Sequence, residues 1–457
     1  MSTRKSARRA LPRIGSAGRF AWAAPALCAA LAASIGLAAS AAPCGAVTIR
    51  GTSSTAAYVQ EASSEPFGTD LENRTRVFER LRFDVLELGA PELTFHGFLT
   101  ARNDVTNQSI GDTRTRLYHG FLQYRTIPAS GESTLRYDLR LGRVWVPAGI
   151  GTGTVDGAYA RIERPGWGTL AIFGGTLGAD AREQWRFDEP DESARIGGEL
   201  RLRPNLATSF SPEVGVSYAL TRRHDEDENS RIGAKATLWV QRQLRIWTEF
   251  RHDFLLDETY GQAAGVEYLN RNNGLRLWGE YNRRTPQLPA TSFFAFWDTR
   301  EVSELRGGGG INLFGPYRIS ADFLRTDFRR PHVGDGLSSG SDVDRAKSIR
   351  LVLGRGAYQI GARFESGFGG DRTGLVLAGS QQIGDRLRLD GSFGYETYDY
   401  GDREDEDNDA STTIFAATYQ ALRDTRIVLQ VEGLTNWDLE QDIRLLARID
   451  QRFRLGL

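Results

Sequence analysis

From Val47 to the carboxy terminus the chain alternates, apolar then charged, with a period of two. Leu135, Tyr137, Leu139 and Leu141 take the odd positions of one run, and Arg136, Asp138 and Arg140 the even ones. In the closing segment Ile443, Leu445, Ala447, Ile449, Phe453, Leu455 and Leu457 share one parity. Arg444, Arg448, Asp450, Arg452 and Arg454 share the other. Leu81, Phe83 and Val85 alternate in the same way with Arg80, Arg82 and Asp84, and the runs at 196–202 and 387–395 repeat the pattern. Successive side chains of a strand point to opposite faces, so each run is a ribbon with one apolar and one charged face. No stretch with helical spacing competes. The fold class is all-β.

Turn residues punctuate the runs in a long and short rhythm. Compact connections fall near Gly89-Ala-Pro91, Arg164-Pro-Gly166, Gln241-Arg-Gln243 and Asn270-Arg-Asn-Asn-Gly274. Others fall near Phe314-Gly-Pro316, Gly354-Arg-Gly356, Gly384-Asp-Arg386 and Arg423-Asp424, with looser turns at 126–133 and 203–211. Longer polar connections lie at 102–113, 180–192, 222–230, 284–301, 328–343 and 400–410. The spacing predicts about 22 strands, within a range of roughly 18–22 that allows for boundary errors of a few residues.

The amino terminus sets the compartment. Arg4, Lys5, Arg8, Arg9, Arg13 and Arg19 precede an apolar stretch from Ala21 to Ala39, and Ala39-Ser-Ala41 supplies a small-x-small site. This is the order of a cleaved secretory signal peptide. The expected organisation is a signal at 1–41 and a single domain at 42–457. A transmembrane anchor is the alternative, and the alanine-rich composition of the stretch disfavours it. Cys28 leaves with the signal, and Pro43 before Cys44 is a poor setting for lipidation. The mature chain then has no internal disulfide to staple it.

An exported chain of uniform hairpins has to cover its apolar faces. A soluble sandwich with so many strands hides them between sheets and splits into domains. A barrel closed in lipid shows them to the membrane, and closure leaves no unpaired edge. The runs match the ~9–11 residues that a spanning strand needs. The predicted architecture is therefore a transmembrane antiparallel up-and-down β-barrel. Strands that begin near Val47 leave no room for an amino-terminal plug domain.

On this pattern the chain resembles Gram-negative outer-membrane β-barrel proteins, broadly the porins. The segment Leu139-Arg-Leu-Gly-Arg143, followed by Asp156-Gly-Ala-Tyr-Ala160, is similar to the alginate-export porin family, where a Gly-Arg strand end precedes an Asp-Gly strand. The closing alternation resembles the carboxy-terminal signal through which such barrels are assembled, with Leu457 in place of the customary aromatic. The resemblance implies an integral outer-membrane protein, surrounded by lipid and lipopolysaccharide and inserted by the barrel-assembly machinery. It also implies termini and compact turns in the periplasm, with longer loops outside. Trp145, Trp185 and Trp437 then lie toward the outer rim, and Trp167 and Trp239 toward the inner one, as interfacial girdles or as ordinary packing.

Composition narrows the function. A net charge of −1 gives no reason to expect nucleic acid as a partner. Lys5, Lys235 and Lys347 are the only lysines among 57 basic residues. Arg80, Arg82, Arg136, Arg140, Arg201, Arg276, Arg318, Arg388, Arg444, Arg448 and Arg452 share the inward parity of their strands, and are the candidate pore-lining residues. Asp84, Asp138, Glu199, Glu280, Asp322, Asp390 and Asp450 are interspersed with them, while runs such as Asp225-Glu-Asp-Glu228 are assigned to loops. Two readings stand side by side. A basic lining in a low-dielectric wall focuses field and favours anions. An Arg–carboxylate ladder, suited to the planar guanidinium fork, stiffens the wall without selecting.

Other motifs carry little. Gly336-Leu-Ser338-Ser-Gly340 lies in a loop without the strand and helix of a nucleophile elbow. Gly149-Ile-Gly151-Thr-Gly153 is followed by a strand and reads as a flexible rim loop. Asp405, Asp407 and Asp409 begin like a calcium loop, but Ala410 and Ala416 replace the required glycine and glutamate. His96, His119, His224, His252 and His332 lack ligand spacing. No catalytic, cofactor or metal site is expected, and the chain is not read as an enzyme. Phe293, Phe294, Phe296 and Trp297 form an apolar cluster in an external connection, as a constriction, a docking loop or a strand extension. The expected function is a passive pore for small hydrophilic, anionic solutes or an exported anionic polymer. The competing reading is a sheath that houses or scaffolds a lumenal or periplasmic protein partner.

Overall fold

A computed structural model describes residues 47–64, 69–106, 114–126, 135–177, 193–204, 209–224, 226–285, 301–329, 343–367, 370–399, 409–436 and 441–456. The strands are β1 (Thr48–Ser64), β2 (Thr69–Leu86), β3 (Leu93–Asp104), β4 (Arg114–Arg125), β5 (Arg136–Val146) and β6 (Gly153–Arg164). They continue as β7 (Gly168–Leu177), β8 (Ser193–Leu202), β9 (Phe210–Arg223), β10 (Glu226–Val240), β11 (Leu244–Asp253) and β12 (Glu258–Asn270). Next come β13 (Leu275–Arg284), β14 (Glu301–Asn312), β15 (Tyr317–Arg329), β16 (Val343–Arg355) and β17 (Tyr358–Gly367). The last are β18 (Gly370–Ile383), β19 (Leu387–Asp399), β20 (Asp409–Leu422), β21 (Thr425–Thr435) and β22 (Gln441–Gly456). Each pairs antiparallel with its successor in one 22-stranded sheet. The ring closes where β22 meets β1, in unbroken register from Thr48↔Gly456 to Ser63↔Gln441. The result is the predicted barrel, at the predicted strand number.

Register carries each strand's parity around the whole ring. Tyr137, Leu139 and Leu141 on β5, Leu170 and Ile172 on β7, and Leu445 and Ile449 on β22 stand exposed on one face. Arg136, Asp138 and Arg140 on β5, Glu199 and Arg201 on β8, and Arg444, Arg448 and Asp450 on β22 occupy the other. A barrel in lipid turns the first face outward and the second to its lumen. At the seam the Phe453 ring lies against Gly51, where a Cβ would collide with it, so the closing strand locks to the first by side-chain packing as well as by its ladder.

Left-handed glycines make several of the compact turns, among them Gly166 (φ 78°) and Gly315 (φ 55°), a conformation that costs glycine nothing sterically. The long and short rhythm is incomplete. At the end of the barrel away from the termini, 224–225, 254–257 and 368–369 are as short as the turns opposite. The segment 222–230 is thus not a long loop. Glu226, Asp227 and Glu228 belong to β10, held by Arg222–Asp227 (2.7 Å) and Arg223–Glu228 (3.7 Å) pairs. Opposite charges facing across a hairpin extend it, where a run of like charge alone reads as loop. The signal segment, both cysteines, Trp185, Trp437, the Phe293–Trp297 cluster, Gly336–Gly340 and Asp405–Asp407 lie outside the described residues.

Candidate functional site

The charged face divides into paired and unpaired arginines. Arg140 binds Asp138 (2.7 Å), Arg201 binds Glu199 (2.7 Å), and Arg388 binds Asp390 (2.8 Å), each two residues away on its own strand. Arg276 reaches across to Glu267 (2.8 Å). Arg444 binds Asp442 (2.6 Å), and Arg448 binds Asp450 (3.2 Å). Among the described residues, Arg80, Arg82, Arg136, Arg318 and Arg452 have no ion pair. Arg82 and Arg452 stand opposite Thr52 from its two sides, and Arg80 is one step further along β2. Ladder and free cation therefore coexist, on different arginines.

Between β1 and β5 the ladder is continuous. Arg50 pairs with Asp84 (3.1 Å), whose other oxygen meets His96 Nδ1 (2.7 Å). His96 Nε2 meets Gln123 (2.7 Å), and the Gln123 amide donates to Asp138 (2.7 Å), which Arg140 holds. The Arg140 guanidinium also lies over the Tyr159 ring, 5.0 Å from its centroid.

The segment between β5 and β6 departs from its expected role. It is not a flexible rim loop. Gly149–Gly151 form one 3-10 turn that packs on β8, β9 and β10. Its neighbours Phe173, Ser217, Ala219 and Gly233 carry the parity of Glu199 and Lys235, so the turn lies on the charged, inner face. The Ile150 amide donates to Ser217 Oγ (3.0 Å), and the Gly151 position touches the Phe173 ring so closely that a Cβ would fall 2.5 Å from it. Val144, Val146, Ala148, Val155, Tyr159 and Phe173 are buried around this turn. Burial of these apolar residues explains the inward fold: their parity faces the lumen, and the turn covers them from water.

The Gly-Arg and Asp-Gly segments meet. Arg143 is the cross-strand partner of Asp156, and Gly142 of Gly157. The ion pair is bidentate, with Nε–Oδ1 and Nη2–Oδ2 both 2.6 Å, and its side chains are only 5% and 4% exposed. It sits on the parity of Leu139 and Leu141. Arg143 also donates to the Leu117 carbonyl (3.2 Å).

Tryptophan placement is mixed. Trp145 lies on the apolar parity, exposed, and Trp167 is exposed in a compact turn beneath Arg164. Trp239 is no girdle residue. It has the parity of Lys235 and Thr237 and sits under the Arg245 guanidinium at 5.7 Å. Its flanking Leu238 and Val240 are apolar, which blurs the alternation there. Trp247 and Trp278 also share the charged parity, with Arg245 and Glu249, and with Arg276 and Glu280. Those charged neighbours at spacing two were the legible signal for both.

No family model matches this chain, and no curated protein matches it by sequence. The ferric enterobactin receptor of Pseudomonas aeruginosa, in complex with BCV-L6, aligns with a TM-score of 0.53 at 10% identity, covering 90% of this chain and 82% of that one. The chain has the fold of Gram-negative outer-membrane β-barrels. The outer membrane protein OpdK of the same organism aligns over 90% of this chain and 99% of its own, with TM-score 0.41 and 10% identity. The translocation pore of the P pilus usher PapC aligns over 89% and 99%, with TM-score 0.47 and 8% identity. The likeness to the alginate-export family expected from residues 139–143 and 156–160 is not shown by these comparisons.

Proposed function

We propose that this barrel is an outer-membrane channel through which small hydrophilic solutes pass down their gradients, with a bias toward anions. The supporting observation is the closed ring of strands whose inner parity carries Arg80, Arg82, Arg136, Arg318 and Arg452 without carboxylate partners. Field from such charges is focused by the low-dielectric wall and lowers the cost of confining an anion. The paired arginines hold the wall's shape and contribute no net selectivity. In this reading the signal at 1–41 is removed on export, the assembly machinery inserts the chain into lipid and lipopolysaccharide, and the compact turns face the periplasm.

Conductance of the refolded chain in a planar bilayer tests the proposal, with reversal potential read under a KCl gradient. Ohmic steps with chloride preference are expected. A folded barrel that passes no current overturns it and leaves the sheath around a partner protein as the reading to pursue.

A further inference from the structure

We propose that the inner wall between β10 and β15 carries a binding groove for solutes that join a six-membered ring to a carboxylate. Trp247, Trp278 and Lys235 build it. On β11 the residues Arg245, Trp247 and Glu249 alternate on the charged face, and on β13 Arg276, Trp278 and Glu280 do the same. The Trp247 indole lies against Gly265 of β12, with Nε1, Cε2 and Cζ2 2.6, 2.7 and 2.9 Å from where a Cβ would stand. Only glycine admits the ring so close to the wall. Trp278 reaches in the same sense over Gly308 of β14, its Nε1 2.9 Å from the absent Cβ. A cavity of about 270 Å³ lies between them, bordered by Lys235, Arg245 and Arg276 and by Glu249, Glu267 and Glu280. It adjoins a cavity of about 550 Å³ that runs past Trp278 to the unpaired Arg318.

The cations that border this cavity are unequally engaged. Glu249 is bound by Arg251 (2.5 Å), Glu267 by Arg276 (2.8 Å) with Arg245 at 3.9 Å, and Glu280 faces Arg306 at 3.9 Å. Lys235 is exposed and, among the described residues, has neither ion pair nor hydrogen bond. Its lysine identity is itself unusual in a chain whose basic residues are almost all arginine. An ammonium on a flexible stem is a strongly hydrated point charge, suited to catching and releasing a carboxylate. Flat indoles on a wet wall gain by stacking against a ring face. Together they select a ring that carries a negative group, over either feature alone.

The groove rests on the channel reading only in taking the charged face as the lumen. Calorimetric titration of the detergent-solubilised barrel at low salt tests it, using benzoate, glucuronate, acetate and benzyl alcohol as probes. Benzoate or glucuronate is expected to bind at least about tenfold more tightly than acetate or benzyl alcohol. Tighter benzoate assigns aromatic acids, and tighter glucuronate assigns sugar acids. Lys235→Gln is expected to remove the advantage over benzyl alcohol, and Trp278→Ala the advantage over acetate. Trp278→Phe keeps a platform should the alanine variant not fold. Equal binding of ring acids and acetate, or an unchanged affinity in Lys235→Gln, overturns the groove. Calorimetry reads binding without current. A barrel that binds ring acids yet does not conduct overturns the channel alone, and one that conducts without discriminating overturns the groove alone.

Discussion

Arg143 and Asp156 show how much one cross-strand pair can hold. Both are almost fully buried, and each satisfies the other through two hydrogen bonds. Removing one partner leaves a charge with no water and no counter-ion, a loss of about 3–5 kcal/mol. Arg143→Met should therefore lower unfolding stability by that order in a urea titration of the vesicle-inserted barrel. Arg143→Met combined with Asp156→Leu should recover most of it, because no buried charge remains. Gly142 beside it has φ +125°, and a Cβ there would collide with the Gly120 carbonyl. Gly142→Ala is expected to destabilise even though the ion pair is intact. Sequence reading reached these residues as a motif, on likeness alone. Their contact was not legible, because pairing Arg143 with Asp156 depends on the register of β5 on β6.

At the scale of the element, the turn between β5 and β6 and the strand β22 place different demands on the chain. The turn is small, yet it covers a buried apolar patch and narrows the inner space beside Glu199 and Arg201. Gly151→Leu would drive a side chain into the Phe173 ring and push the turn off the wall. The expected readout is a larger single-channel conductance together with a loss of roughly 1–3 kcal/mol of stability. An unchanged conductance would show that this turn does not narrow the path. In β22 the outward residues from Ile443 to Leu455 are apolar except Gln451, and Phe453 covers Gly51 across the seam. Phe453→Ala should slow closure, seen as a longer-lived unfolded band in heat-modifiable electrophoresis during refolding into detergent. The strand itself was plain in its alternation. The inward turn was not, since Gly-Ile-Gly-Thr-Gly is equally compatible with a loose loop until Phe173, Ser217 and Ala219 are brought beneath it.

For the whole molecule the question is which charges reach a passing ion. Ladder arginines such as Arg388 are neutralised by a carboxylate two residues away. Such exposed pairs contribute little to stability, and they also add little net field. The free set should matter more. Replacing Arg80, Arg82 and Arg452 together by glutamine is expected to shift the reversal potential toward cations. Replacing Arg388 with glutamine and Asp390 with asparagine should leave it in place. Raising the salt concentration should blunt the first effect, because screening falls within a few ångströms of each charge at ~1 M.

The sequence by itself determined the strand number, the two faces of the ribbon and the positions of most turns. These follow from a local rule: the pleat sends neighbouring side chains to opposite sides wherever the strand is drawn. It also marked which arginines stand on the charged parity. Only the tertiary structure decided which of them are free, that the β5–β6 segment folds inward, and that Trp247 and Trp278 border one cavity. Those facts depend on what lies across from each residue on the neighbouring strand. That is fixed by register around a closed ring, in which a slip at any single pair would displace every other.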